Sequence, residues 1–165
     1  MKVTGYSRLQ VVLHWAVVVL VAFQFVAHAG IEASWNAFVA DRTVPVDEAI
    51  LTILHIAGGV TVLVLALARI VLRMTRGAPD PPADEPRLLQ IAAEAIHRLI
   101  YILLLLLPIT GTAAWFLGIR SAGNIHEWLT TLLLVGIALH VAGALFQHFI
   151  RRSDVLMRML RPEES

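Results

Sequence analysis

The chain has 165 residues, of which 58% are hydrophobic and 15% charged, and its net charge is +1. That is too apolar for a soluble domain of this size, and the charge gives no bulk basic signal for a nucleic-acid partner. With no cysteine, disulfides, iron–sulfur clusters, thiolate ligation and covalent c-type haem attachment are excluded, so any haem has to be held non-covalently.

Four apolar stretches are long enough to cross a bilayer: Leu9–Ala29, Ala49–Leu72, Leu88–Leu117 and Ile125–Ile150. They predict an all-α fold, an integral membrane four-helix bundle forming one domain over residues 1–165. The first run is long and shows no small-residue cleavage pattern, so it is expected to stay as a membrane helix. Val44-Pro45 precedes the second helix, with Pro45 suited to its first turn. Gly77-Ala78-Pro79-Asp80-Pro81-Pro82 predicts a stiff loop before the third helix. Gly118 and Ser121-Ala122-Gly123-Asn124 predict a tight turn into the fourth.

Lysine and arginine set the orientation. Lys2 and Arg8 precede the first helix. Arg69, Arg73, Arg76, Arg87 and Arg98 flank the second connector, and Arg151, Arg152, Arg158 and Arg161 follow the last helix. Only Arg42 and Arg120 fall on the other two connectors. Both termini are therefore expected in the cytoplasm, with two short loops facing the periplasm or exterior.

That topology gives each histidine a depth. His126 and His140 share the fourth helix, 14 residues apart, so they lie about 21 Å apart along the axis and near the same face. Gly136 and Gly143 beside them offer places where a flat macrocycle approaches the backbone. His14 and His140 fall in the cytoplasmic half; His55 and His126 fall in the outer half. Pairing by depth gives His14 with His140 as an inner site and His55 with His126 as an outer site. A bis-imidazole pair suits the iron of a b-type haem, so two b haems stacked across the bilayer are expected. A zinc site would need three or four ligands converging at one depth, and a purely structural histidine would simply bond a neighbouring helix. His28 is an alternative outer ligand or an interfacial histidine at a helix end. His97, one turn from Glu94, is an alternative ligand or a proton-donating group at a quinone site. His148 suits a headgroup, a haem propionate, a quinone or plain surface exposure. Trp15, Trp115 and Trp128 suit interfacial belts and haem packing equally.

Tyr6-Ser7-Arg8-Leu9-Gln10 followed by His14-Trp15 resembles the opening of the bacterial cytochrome b561 family. Ile53-Leu54-His55-Ile56-Ala57-Gly58 with the Arg69–Arg73 helix end is similar to its second helix. His97 with Tyr101 and Pro108-Ile109-Thr110-Gly111 is similar to its third. His126-Glu127, Leu139-His140 and Asp154-Val155-Leu156-Met157-Arg158-Met159 are similar to its fourth helix and tail. The resemblance covers nearly the whole chain and implies a di-haem b cytochrome of the inner membrane, with His14, His55, His126 and His140 as the iron ligands. One branch of that family oxidises superoxide at the outer face and reduces ubiquinone near the inner face. The resemblance then implies a catalytic proton donor at His97, with Gln147 and His148 as further quinone contacts. The connector from Gly118 to Asn124 is shorter than in that branch, and Gln147-His148 stands where a His-His pair is common. Ser7, Arg8 and Arg152 are candidate partners of the inner haem propionates. The implied activity is superoxide:quinone oxidoreductase-like. The competing expectation is a cytochrome b subunit that serves a dehydrogenase or a periplasmic redox partner.

Overall fold

The structure, a computed structural model, describes residues 5–43 and 46–162. Lys2 and Pro45, and the side chains of Asp47 and Glu48, lie outside the described residues. Among the described residues every regular element is a helix: α1 Arg8–Val26, α2 His28–Val39, α3 Val46–Arg76, α4 Arg87–Leu117, α5 Arg120–Phe149 and α6 Met157–Leu160.

Four of these, α1, α3, α4 and α5, are apolar and long enough to span a membrane. Less than a quarter of the apolar stretch of each is buried inside the protein. Many Leu, Ile, Val and Phe side chains, such as Val19, Ile53, Val64, Ile109 and Leu134, are exposed on the bundle surface, which is stable only in lipid. Ser7 starts α1 through a capping box: its hydroxyl accepts from the Gln10 amide, and the Gln10 side chain accepts from the Ser7 amide. Gly118 ends α4 at φ 65°, a conformation that favours glycine.

The packed core is Val17 and Val21 of α1, Val62 and Ala66 of α3, Leu103 and Leu104 of α4, and Leu133 of α5. In sequence it follows the single histidine of α1, of α3 and of α4, and lies between the first two histidines of α5. Leu133 is midway between His126 and His140. The close backbone packings run α4 on α5, α2 on α3, α1 on α3 and α3 on α4. The α1–α5 and α3–α5 pairs are not among them, although these helices carry the histidines expected to face each other.

Two segments differ from the sequence expectation. The first apolar run breaks at buried Ala27, which ends α1 and begins α2. Residues 28–39 are thus a separate helix, pinned on α3 by a 2.7 Å hydrogen bond from Thr52 to Ser34. Gly30 makes that approach possible, since a Cβ there would lie 2.4 Å from the Leu51 Cβ. Residues 121–124 are not a turn. The turn is confined to residues 118–119 and α5 already runs from Arg120. Gly123 lies in this first turn under the Trp35 ring, which a Cβ would meet at 3.2 Å. Trp35 stacks on Phe38 and Phe38 on Trp115, so α2 closes over the ends of α3, α4 and α5.

At the opposite end the tail folds back. Trp15 donates to the Met159 carbonyl at 2.9 Å, Arg158 donates to the Asp80 carbonyl at 2.9 Å, and Arg151 pairs with Asp84 at 3.2 Å. Gln147 donates to Glu85 and accepts from Ser153. The 77–86 connector is therefore held by both the last helix and the tail.

Candidate functional site

Two layers of facing imidazoles occupy the bundle. The ring centroids of His14 and His140 are 6.3 Å apart, and those of His55 and His126 are 6.4 Å apart. With metal–nitrogen bonds of roughly 2.0–2.1 Å and a ring centre about 1.1 Å behind each nitrogen, two imidazoles on opposite sides of one metal have centroids about 6.3 Å apart. Rings that share the metal axis are free to differ in rotation about it, so interplanar angles of 63° and 66° are compatible with this arrangement. Both pairs bridge helices that are not closely packed, which leaves a slot between them. Among the described residues no cluster of three or more His, Cys, Asp or Glu side chains is arranged to hold a metal. Such pairs suit a metal whose remaining ligands come with a macrocycle.

The layer of His55 and His126 is built in most detail. Its cavity encloses about 550 Å³ of empty space, open mouth included, and is lined by His28, His55 and His126 with Gln24, Leu107 and Thr130 among others. Nδ1 of His126 lies 2.9 Å from the Leu107 carbonyl. A carbonyl only accepts, so Nδ1 carries the proton and Nε2 is left as the basic nitrogen. Thr110 Oγ1 stands 3.2 Å from the same Nδ1. Gly111 leaves room for the ring: a Cβ there would sit 3.2 Å from two of its atoms. The Pro108-Ile109-Thr110-Gly111 stretch is thus a seat for the His126 imidazole. Opposite, the Gln24 amide donates to the His55 carbonyl at 2.9 Å and packs on Gly58. His55 Nδ1 and Gln24 Oε1 are both buried without a hydrogen-bond partner.

His97 joins the other layer. Its ring centroid is 4.9 Å from that of His140, closer than His14 comes. Its Nδ1 donates to the Ala93 carbonyl at 2.7 Å, and Glu94 pairs with Arg98 instead. Arg69 of α3 enters the same region, donating to the Gln10 carbonyl at 3.1 Å and to the Tyr101 hydroxyl at 3.4 Å.

The other expected residues sit further out. The Ser7 hydroxyl is engaged in the α1 cap. Arg152 is exposed, at a positive φ of 55°. Gln147 is tied to Glu85 and Ser153. His148 stacks edge-on against Phe149 at 4.8 Å and has a buried Nδ1 without a partner. His28 begins α2, half-exposed and 4.0 Å from Glu32. Gly136 meets Ile100 at 3.5 Å from its Cβ position and so serves helix packing, whereas Gly143 faces open space.

The family model for prokaryotic cytochrome b561 matches residues 5–162. The chain belongs to the prokaryotic cytochrome b561 family. It is 33% identical to the cytochrome b562 of Cereibacter sphaeroides over 161 residues, covering 96% of each chain. It is 27% identical to cytochrome b561 homolog 1 of Escherichia coli, covering 94% of this chain and 96% of that one. It is also 27% identical to a Yersinia pestis protein named probable superoxide oxidase CybB, covering 94% and 95%. As a cytochrome b561, the chain is a multi-pass protein of the bacterial inner membrane that carries b-type haem and transfers electrons across the bilayer. The paired imidazoles, the fixed His126 tautomer and the glycine that admits its ring fit that group chemically.

Proposed function

We propose that the chain holds two b haems, one between His14 and His140 and one between His55 and His126, with both termini in the cytoplasm. The observation that carries this reading is the pair of matching imidazole separations, 6.3 and 6.4 Å, in two layers on one shared helix. His14, His140, His55 and His126 would hold the irons through imidazole nitrogen, and the haems would supply one-electron transfer. The protein's part is to fix the two imidazoles of each layer and to exclude water between the layers with Val17, Val21, Val62 and Leu133. The 14-residue spacing on α5 sets the layers about 21 Å apart.

The reaction we assign is oxidation of two superoxide ions to two molecules of dioxygen at the outer face, with ubiquinone taking the two electrons and two protons near the cytoplasmic face. The likeness to the Yersinia pestis protein supports the donor. We assign proton delivery to His97; its Nδ1 donates to the Ala93 carbonyl, which leaves Nε2 to exchange and supports this role. Gln147 and His148 lie about 10–12 Å beyond His140 along α5 by helical rise, and we assign them to the quinone as further contacts.

A second reading, an electron-transfer subunit for a dehydrogenase or periplasmic partner, has one specific observation in its favour. The outer face exposes Glu32, Asp41 and Glu127 against Arg42 and Arg120, which does not attract an anion. Mixing the purified protein with superoxide and ubiquinone separates the two. Rapid haem reduction with ubiquinol formation supports the oxidase. Reduction only by a co-purifying protein supports the subunit.

A further inference from the structure

Arg69 is a charged side chain in the interior of a membrane helix, seven residues before the end of α3. A long side chain near a helix end commonly reaches for the headgroups. This one turns inward, because its two partners belong to α1 and α4. Both partners, the Gln10 carbonyl and the Tyr101 hydroxyl, are neutral, so they satisfy N–H groups without balancing the charge. The ion pairs seen among the described residues use other cations. A half-buried guanidinium with neutral partners is costly unless an anion completes the site.

The position narrows the choice of anion. Gln10 stands four residues, one helical turn, before His14 on α1, and Tyr101 four after His97 on α4, so a guanidinium bonded to both borders the layer between α1 and α5. Its helix is not part of that pair and flanks it from the side. Arginine matches a carboxylate through two parallel N–H groups. We infer that Arg69, oriented by Gln10 and Tyr101, is the anchor for a propionate carboxylate of the haem held by His14 and His140. This rests on the two-haem reading above. It puts the main cationic contact on α3, where the sequence pointed to Ser7, Arg8 and Arg152.

The test is the rate at which haem leaves the purified protein for an excess of a haem-scavenging apoprotein. The wild type should release its haems in two phases, one per site. Arg69→Gln should speed one phase roughly ten- to a hundredfold, the range for a hydrogen bond to a charged group, and leave the other unchanged. Arg69→Lys should fall in between. In protein reconstituted with the dimethyl ester of haem, wild type and Arg69→Gln should release at the same rate. Equal rates with ordinary haem, or acceleration of both phases, overturn the inference. So does an Arg69→Gln effect that survives esterification, which would assign the guanidinium to a lipid phosphate. If Arg69→Gln yields no haem protein, Arg69→Lys carries the test: retained haem supports the anchor and an apoprotein refutes it. A wild type with one haem instead refutes the two-haem reading itself.

Discussion

The Leu107 carbonyl accepts a hydrogen bond from Nδ1 of His126 across 2.9 Å, joining α4 to the imidazole of α5. The bond fixes which nitrogen is free and how the ring is turned. Outer partners of this kind orient a metal ligand and raise its basicity. Because α4 and α5 are in close contact along their length, one helix supplies the ligand and the next aims it.

Gly111→Ala tests that seat. The added Cβ would stand 3.2 Å from Cε1 and Nδ1 of His126, so the ring must shift by a few tenths of an ångström. The expected result is an intact bundle with outer-haem affinity lowered roughly ten- to a hundredfold, the range for loss of an outer-shell partner. Haem titration of the apoprotein measures it, and the His14–His140 site serves as the internal control.

Ser34 and Thr52 are buried and bonded to each other, which holds α2 on α3. Ser34→Ala should lower stability by about 0.5–1.5 kcal/mol, because the Thr52 hydroxyl loses this bond but keeps the Gly30 carbonyl as acceptor. Ser34→Ala with Thr52→Val should cost less than the sum of the single changes. Thermal unfolding in detergent, followed through the haem absorbance, reads both values.

His97→Ala should leave two haems per chain and slow ubiquinone reduction by roughly a hundredfold or more, as for loss of a general acid. Stopped-flow reduction of the haems by superoxide should be unaffected, since the outer layer does not include His97. A variant with one haem would show that His97, not His14, is the partner of His140.

The four spans were legible because a long apolar run is a strong signal and a bilayer leaves few alternatives. The separate helix α2 was not. The run from Leu9 to Ala29 hides the break at Ala27, and Ile31-Glu32-Ala33-Ser34-Trp35-Asn36 mixes polar and apolar residues as an interfacial loop does. Ser121 to Asn124 read as a turn by composition. Packing of Trp35 over Gly123 overrides that preference and keeps the segment helical. Depth suggested pairing His14 with His140 and His55 with His126, and their ring centroids lie 6.3 and 6.4 Å apart. The closeness of His97 to His140 and the inward turn of Arg69 were hidden. Depth says nothing about which face of a helix a side chain occupies, and Arg69 lies 32 positions from Tyr101.

Haem stoichiometry measures the central claim most directly. Pyridine haemochrome assays on haem-replete protein should give two haems b per chain for the wild type. His14→Ala, His55→Ala, His126→Ala and His140→Ala should each give one, and His126→Ala combined with His140→Ala should give none. A wild type with a single haem, or a His140→Ala variant that keeps two, would contradict it.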